Sequence, residues 1–351
     1  MQARRAGLGA FVVLCTLGGC GGAIDPSPGN PGHAPDPPAP APASPTLTVL
    51  ASGLGAPAYI AVRAGQLYWT ENEVDSDTGH VMTMPTLGGT PVTLATSVSA
   101  GHLALAANDV YFTQRVDRIG IPGQQAPIMA VPLEGGAMRM VAASPWAFGL
   151  AVDESELYYA GAVDGASSAQ QTALVHMPVA GGAPCPVVSS LFLGDIAVGS
   201  TGVFWADISG VLYRWARDGS GTTALASAPP SSGEYFGIGM GGIAVGDATV
   251  YWGVAGALMA TPVDGGATTT LGSTPHTWIA DLAVDDDAVY WTAIPDDLSE
   301  GRGAVMKVPR AGGSVTTLAT GLSFPFGIAV DAAGVYVTDP VDRTVERVAP
   351  K

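Results

Sequence analysis

The stretch LAVDDDAVYW, Leu282–Trp291, raises the question of whether its three consecutive aspartates bind a metal ion or form a turn. Six ungapped relatives of this stretch occur along the chain, and they begin at Ile60, Leu103, Leu150, Ile196, Ile243 and Ile328. Their middle four residues read RAGQ, AAND, DESE, GSTG, GDAT and DAAG, so the acidic character is not kept. A shared metal role is therefore excluded, and Asp285, Asp286 and Asp287 are predicted to be solvated turn residues.

Each copy has three apolar residues, four turn-forming residues and an apolar or aromatic ending. Short β-branched and aromatic flanks around a gap of this length are typical of a β-hairpin. A second two-stranded element follows most copies, usually around a Gly-Gly turn, as in VMTMPTLGGTPVTLA from Val81 and VMKVPRAGGSVTTLA from Val305. Four strands therefore recur every 39 to 47 residues. This period predicts an all-β fold, a seven-bladed β-propeller with four-stranded blades.

The last repeat supplies only three strands, because VERVAPK, Val345–Lys351, is followed by no further strand. The missing strand has a counterpart near the start of the sequence. LTVLASGL, Leu47–Leu54, matches VTTLATGL, Val315–Leu322, at five of eight positions. We expect this N-terminal strand (47–54) to complete the last blade beside Val345–Ala349, which would remove two open sheet edges.

The composition limits the classes of partner. Acidic residues outnumber basic ones by 30 to 14, which gives a net charge of -16 at pH 7. Such a chain repels nucleic acid, so no nucleic-acid partner is predicted. Cys185 is the one cysteine beyond residue 20, so no disulfide framework is available. We expect Cys185 to be a small buried apolar group, and the protein to be a monomer.

The first residues have the features of a secretory signal. Arg4 and Arg5 precede a ten-residue apolar run, Leu8–Leu17, that is too short to be a permanent membrane span. Two glycines then precede Cys20, and this arrangement resembles the lipobox of bacterial lipoproteins. The resemblance implies a signal peptide over 1–19, cleavage before Cys20 and lipidation of that cysteine. An ordinary signal peptide with an unrelated cysteine is the alternative.

The segment after the signal is expected to be a tether. Residues 20–45 are rich in Pro, Ala and Gly and cannot bury a core, so we expect an extended disordered chain between a lipid anchor and a propeller over 46–351. Gly21, rather than Asp, follows Cys20. By the sorting rule of enterobacterial lipoproteins, this implies an outer-membrane location. We therefore expect a cell-envelope protein held to the lipid bilayer by its anchor, facing the periplasm or the cell surface.

Three strand endings resemble a known repeat. YWTE (Tyr68–Glu71), FWAD (Phe204–Asp207) and YVTD (Tyr336–Asp339) are similar to those of YWTD and NHL-type β-propellers. The resemblance covers Leu47–Lys351 and implies the fold but no single activity. The final aspartate survives only as Asp207 and Asp339, and YWTD domains usually have six blades. Seven blades also resemble the streptogramin lyase-like propellers, but no local motif carries over the catalytic histidine and metal of that family.

The residue before each first strand is predicted to ring the mouth of the central channel. These residues are Tyr59, His102, Gly149, Asp195, Gly242, Asp281 and Gly327. The three glycines are expected to serve packing. His102, Asp195 and Asp281 could together hold Ca²⁺ or Mg²⁺ or perform acid–base chemistry. Alternatively, they bind channel water or cap neighbouring strands. No other cofactor is predicted.

Aromatic residues occur in the entry loops on the same face as this mouth. They are Trp146, Phe148, Tyr235, Phe236, Trp278, Phe324 and Phe326, and with Tyr59 they form a predicted binding surface. The alternative is that these side chains pack between blades.

No G-x-S-x-G, H-E-x-x-H, P-loop or C-x-x-C motif occurs in the sequence. Our first hypothesis is therefore a non-catalytic binding or scaffold module that presents its loops to a protein, peptide or glycan of the envelope. The alternative is a metal-assisted lyase or lactone hydrolase at the channel mouth, which rests on His102, Asp195 and Asp281 alone.

Overall fold

The computed structural model describes residues 43–114, 127–144, 147–162, 171–191, 193–207, 209–228, 242–254, 256–299 and 302–351. Every regular element in these ranges is a β-strand. The described part of the chain thus contains no helix that is long and apolar enough to cross a membrane. The predicted signal peptide, Cys20 and most of the tether lie outside the described residues.

The strands form seven four-stranded antiparallel sheets. Blade 1 contains β2 (Ala56–Arg63), β3 (Gln66–Asn72), β4 (Thr78–Pro85) and β5 (Val92–Val98). Blade 2 contains β6 (Ala100–Leu105), β7 (Asp109–Gln114), β8 (Ile128–Pro132) and β9 (Arg139–Ala142). Blade 3 contains β10 (Ala147–Val152), β11 (Glu156–Ala162), β12 (Gln171–Pro178) and β13 (Cys185–Leu191). Blade 4 contains β14 (Leu193–Val198), β15 (Gly202–Asp207), β16 (Val211–Ala216) and β17 (Gly221–Ser227). Blade 5 contains β18 (Ile243–Val245), β19 (Thr249–Val254), β20 (Ala257–Pro262) and β21 (Thr269–Ser273). Blade 6 contains β22 (Thr277–Val284), β23 (Ala288–Pro295), β24 (Gly303–Pro309) and β25 (Thr316–Leu322). Blade 7 contains β26 (Ile328–Asp331), β27 (Gly334–Asp339), β28 (Thr344–Ala349) and β1 (Thr46–Ser52).

The sheets close into a ring. The first strand of each blade contacts the first strand of the next blade, and β2 contacts β26, so these strands surround the axis. In blade 7, β1 pairs antiparallel with β28, from Thr46 beside Ala349 to Ser52 beside Thr344. The predicted seven-bladed β-propeller, closed by the N-terminal strand, is therefore confirmed. All seven blades are complete without residues 1–42, and Ala43–Lys351 is one compact unit.

The strand directions give the ring two different faces. The connections from the second to the third strand, and from the fourth strand to the next blade, lie on one face, which we call the loop face. The connections from the first to the second strand, and from the third to the fourth, lie on the opposite turn face.

The described residues form seven apolar core clusters, one at each junction between blades. Each second strand ends its apolar run with two large residues whose side chains point to opposite sides of the sheet. In blade 6 these are Tyr290 and Trp291, both fully buried. Trp291 packs with Tyr251 of blade 5, whereas Tyr290 packs with Val337 of blade 7. The pair of large residues in each repeat therefore joins its blade to both neighbours.

The aspartates of the opening stretch form a turn. The Oδ1 atom of Asp285 accepts hydrogen bonds from the amides of Asp287 and Ala288, each at 2.9 Å. Its Oδ2 accepts one from the Tyr290 hydroxyl at 3.0 Å, and Lys351 contacts the same oxygen. Asp286 and Asp287 are exposed as predicted, but Asp285 is half-buried. The turn interpretation is therefore confirmed, with Asp285 serving as its internal acceptor.

The Gly-Gly turns also have the predicted backbone conformation. Gly135, Gly265 and Gly312 have φ values of 85°, 84° and 83°, a region that glycine enters without a Cβ penalty. The expectation for Cys185 was wrong, because its thiol is exposed at the start of the outer strand β13. Because β13 is the outer strand of blade 3, the side chains at its start are exposed to solvent.

Candidate functional site

The three ring glycines lie against the next blade. A Cβ atom on Gly149 would lie 2.6 Å from the carbonyl oxygen of Gly194, and one on Gly242 would lie 2.7 Å from the amide nitrogen of Leu282. A Cβ atom on Gly327 would lie 2.4 Å from the carbonyl oxygen of Ala58. These distances are shorter than any normal contact, so glycine at these positions allows adjacent inner strands to approach each other.

Gly327→Ala is therefore expected to lower the free energy of unfolding by about 2–3 kcal/mol, because the new methyl group forces blade 7 away from blade 1. Urea denaturation of residues 43–351 measures this loss. Gly53→Ala is the control, since Gly53 has a φ of 68° and no neighbouring atom within 4 Å. This control should lose only about 1 kcal/mol of backbone strain. Equal losses in the two variants would refute the close-approach explanation.

The two ring aspartates connect neighbouring blades. The Oδ1 atom of Asp281 accepts a hydrogen bond from the following amide at 2.8 Å, and its Oδ2 accepts one from the amide of Ile328 in blade 7 at 3.0 Å. Asp195 repeats this arrangement between blades 4 and 5. It accepts a hydrogen bond from its following amide at 2.9 Å and another from the amide of Ile243. Each carboxyl group thus caps the inner strand of the next blade. The sequence analysis gave such capping, or the binding of channel water, as the alternative to a metal or acid–base role.

Burial affects the protonation of both carboxyl groups. Burial raises the pKa of Asp195 to about 6, although its backbone hydrogen bonds act in the opposite direction. Burial, followed by the charge of Asp195, raises the pKa of Asp281 to about 8. As whole residues, Asp195 and Asp281 are half-buried, but their carboxyl groups are surrounded by protein atoms. The mouth therefore holds two interacting carboxyl groups that titrate around neutral pH.

Threonines of the second strands add further bonds between blades at this level. In each case the hydroxyl donates to a carbonyl next to a ring position of the following blade. The bonds are Thr70 to Gly101 at 2.9 Å, Thr292 to Phe326 at 2.8 Å, and Thr338 to Ala58. The Thr292 hydroxyl oxygen also accepts a hydrogen bond from the amide of Asp281 at 3.2 Å. These threonines occupy the third position of the strand endings YWTE, YWTA and YVTD, and the sequence analysis did not assign them a role.

His102 has a different neighbour from the aspartates. Its Nε2 atom lies 2.8 Å from the hydroxyl oxygen of Tyr59, and the two rings stack with centroids 3.9 Å apart. Within the described ranges, no group of three or more His, Cys, Asp or Glu side chains is placed to hold a metal ion. The structure thus places His102 against Tyr59, whereas Asp195 acts on Asp281 through its charge. A calcium or magnesium role for the predicted trio stays a prediction.

The predicted aromatic residues form a continuous series on the loop face. Tyr59 contacts Phe326 at 5.3 Å between ring centroids, Phe326 stacks with Phe324 at 6.4 Å, and Phe324 meets Trp278 at 5.7 Å. With His102, these rings extend over blades 6, 7, 1 and 2, and we call them the aromatic arc. All five side chains are half-buried. Each therefore packs on its neighbour and also keeps part of its surface exposed to solvent.

Trp146, Tyr235 and Phe236 lie outside the described residues, as does the side chain of Phe148. Their part in the binding surface stays a prediction.

A separate cleft of about 310 Å³ opens on the turn face. Turns of blades 4, 5 and 6 line it, with Ser200, Asp247, Asp286 and Arg310 among its polar residues. It shares no residue with the aromatic arc, and sequence reasoning did not identify it.

No family model matches the sequence, and a search of the curated proteins found no match. Membership of the YWTD or NHL families therefore stays a prediction. Among solved structures, the chain is similar to U3-55K, with 11% identity, a TM-score of 0.57, and coverage of 86% of this chain and 98% of that one. It is also similar to the β-propeller domain of the Trilobed protease from Pyrococcus furiosus, with 10% identity, a TM-score of 0.56, and coverage of 86% and 95%.

An acylaminoacyl peptidase matches with 10% identity and a TM-score of 0.55, over 82% of this chain but only 52% of the peptidase. Likenesses at such identities show the fold alone. By fold, the chain is a seven-bladed β-propeller.

Proposed function

We propose that this chain is an envelope-anchored binding module whose loop face takes a protein, peptide or glycan partner without catalysing a reaction. The observation that carries the proposal is the aromatic arc, in which five adjacent rings remain half-exposed around the channel mouth. Aromatic side chains offer a large contact area and are enriched among the interface residues that contribute most of the binding free energy. The predicted lipid anchor and tether would hold this face in the envelope.

Immobilised residues 43–351 are expected to retain a component from solubilised envelope of the source bacterium. The double variant Trp278→Ser, Phe326→Ser should retain at least tenfold less, because two contact rings are lost. Quantitative mass spectrometry and glycan analysis of the eluates measure the difference.

The matched control replaces two exposed apolar residues outside the arc. Val49 and Met140 are 53% and 63% exposed, and the variant Val49→Ser, Met140→Ser should retain as much as the unmodified protein. If the arc variant retains the same material as this control, the arc is not the binding surface.

A second candidate function is an acid–base lyase or lactone hydrolase at the mouth. It is supported by the two interacting carboxyl groups, whose pKa values of about 6 and about 8 suit a general base and a general acid near neutral pH. Hydrolysis of a panel of lactones, abolished in both Asp195→Asn and Asp281→Asn, would favour this function over binding alone.

A further inference from the structure

Two rings of the aromatic arc form a corner near the strand end that the Asp281 carboxyl group caps. The rings of Tyr59 and Phe326 meet at an interplanar angle of 81°. The carbonyl of Phe326 accepts a hydrogen bond from Thr292, whose oxygen accepts one from the amide of Asp281. The carboxyl group of Asp281 in turn accepts the amide of Ile328, two residues beyond Phe326. The backbone beside the Phe326 ring and the carboxyl group of Asp281 therefore belong to one hydrogen-bonded unit of blades 6 and 7. The contact between the rings of Phe326 and Tyr59 joins this unit to blade 1.

The electrostatics of this corner favour a positive charge. The faces of aromatic rings carry the negative part of a quadrupole and attract cations within about 6 Å of the ring centre. Asp195 and Asp281 are the only ring positions that can carry a full charge besides His102, and none of the seven is Lys or Arg. The net charge of -16 further raises the local concentration of cations.

We infer that the corner formed by Tyr59, Phe326 and Asp281 binds an organic ammonium group, either quaternary or primary, on a small molecule or on a larger partner. This inference rests on the proposed binding function and specifies the ligand chemistry of the same surface. A neutral sugar can also stack on aromatic rings, but it gains nothing from the charge of a carboxylate. An ammonium group is attracted both by the faces of the two rings and by the carboxylate.

Binding of a cation has a consequence for protons. Without a ligand, burial and the charge of Asp195 keep the pKa of Asp281 at about 8, so this carboxyl group holds a proton at neutral pH. A bound ammonium group favours the ionised form, and the proton leaves to the solvent. The other titratable groups at the mouth are Asp195 and His102, the latter stacked on Tyr59. Binding should therefore release up to one proton at pH 7.

Choline chloride and its uncharged isostere 3,3-dimethyl-1-butanol test this inference directly. Isothermal titration of residues 43–351 at pH 7 should show choline binding at least tenfold more tightly than the alcohol, in a background of constant ionic strength. A choline titration of the unbuffered protein in a pH-stat held at pH 7, where the base consumed counts protons directly, should reveal the released proton without a competing buffer amine. Equal binding of the two compounds would overturn the cation inference and leave an apolar binding surface.

Two variants locate the site. Phe326→Leu keeps the apolar volume but removes the ring. Asp281→Asn keeps the size of the side chain but removes the charge, together with one of the two oxygens that accept backbone amides. Each should weaken choline binding at least tenfold, whereas Tyr213→Leu, at a half-buried aromatic residue of blade 4, should leave it unchanged. If neither compound binds while capture from the envelope still depends on the arc, the inference fails and the binding function stands. If capture fails as well, both are wrong.

Discussion

Removal of β1 is expected to lower the free energy of unfolding by about 4 kcal/mol. A chain that starts at Gly53 loses the contribution of Ala51 and Leu50 to the core between blades 7 and 1, and that of Leu47 to the core between blades 6 and 7. Partial burial of three apolar side chains contributes about 4 kcal/mol to the free energy of unfolding. The truncation also leaves the hydrogen-bonding edge of β28 open, which promotes pairing with other chains. Urea denaturation and light scattering measure the two effects.

The reference for this experiment is the chain that starts at Ala43, because it keeps all of β1. A synthetic peptide with the sequence of Thr46–Ser52, TLTVLAS, should restore part of the lost stability to the truncated chain, whereas a scrambled peptide should not. An unfolding midpoint that is the same with and without β1 would mean that the closure contributes little.

The stability of the propeller is expected to fall as the pH rises from about 6 to about 8, and Asp281→Asn should remove much of this dependence. The pKa of Asp281 is raised from an ordinary 3.8 to about 8, first by burial and then by the charge of Asp195. Below pH 4 the group is protonated in both the folded and the unfolded states. Between those values the unfolded state has lost the proton while the folded state retains it, so unfolding becomes progressively easier. Above pH 8 the effect is constant.

The size of this effect follows from about 1.4 kcal/mol per pH unit, or about 2–3 kcal/mol between pH 6 and pH 8. Asp195 adds a similar slope between pH 4 and pH 6, because burial raises its pKa to about 6. Urea denaturation at each pH, compared between the protein and its Asp281→Asn variant, cancels the titration of the histidines. Asp286→Asn, at an exposed turn residue of the same blade, is the control. Identical pH profiles for Asp281→Asn and the control would contradict the buried-carboxyl description.

The repeat predicts most of the fold. Seven copies of the hairpin, the Gly-Gly turns and the match between Leu47–Leu54 and Val315–Leu322 led to the blade number and to the closure by β1. These features are local or periodic, so they are readable without coordinates. The role of the two large residues in each hairpin is equally readable, since alternation along a strand sends them to opposite neighbours.

The site is less predictable because its bonds run between blades. Each ring position directly precedes the first strand of a repeat, so the sequence predicts it. The hydrogen bond from the Ile328 amide to Asp281 instead depends on how closely two inner strands approach each other. The repeat also carries a signal for the threonine bonds, since Thr70, Thr292 and Thr338 share one position in it. The repeat places Tyr59 and His102 at equivalent positions of neighbouring blades, but their direct contact depends on side-chain orientation, which the sequence does not carry.

The direction of the closing strands determines which face of the propeller lies beside an attachment made at Ala43 or Lys351. In blade 7, β26 starts at the channel mouth on the loop face, and the alternating directions of β27, β28 and β1 bring Thr46 and Ala349 together at the turn face. The contact of Lys351 with the turn residue Asp285 agrees with this. A biosensor chip, a bead or a fused domain joined at Ala43 or Lys351 therefore leaves the aromatic arc facing outward. The same geometry makes the scaffold suited to display, with variable loops opposite the point of immobilisation.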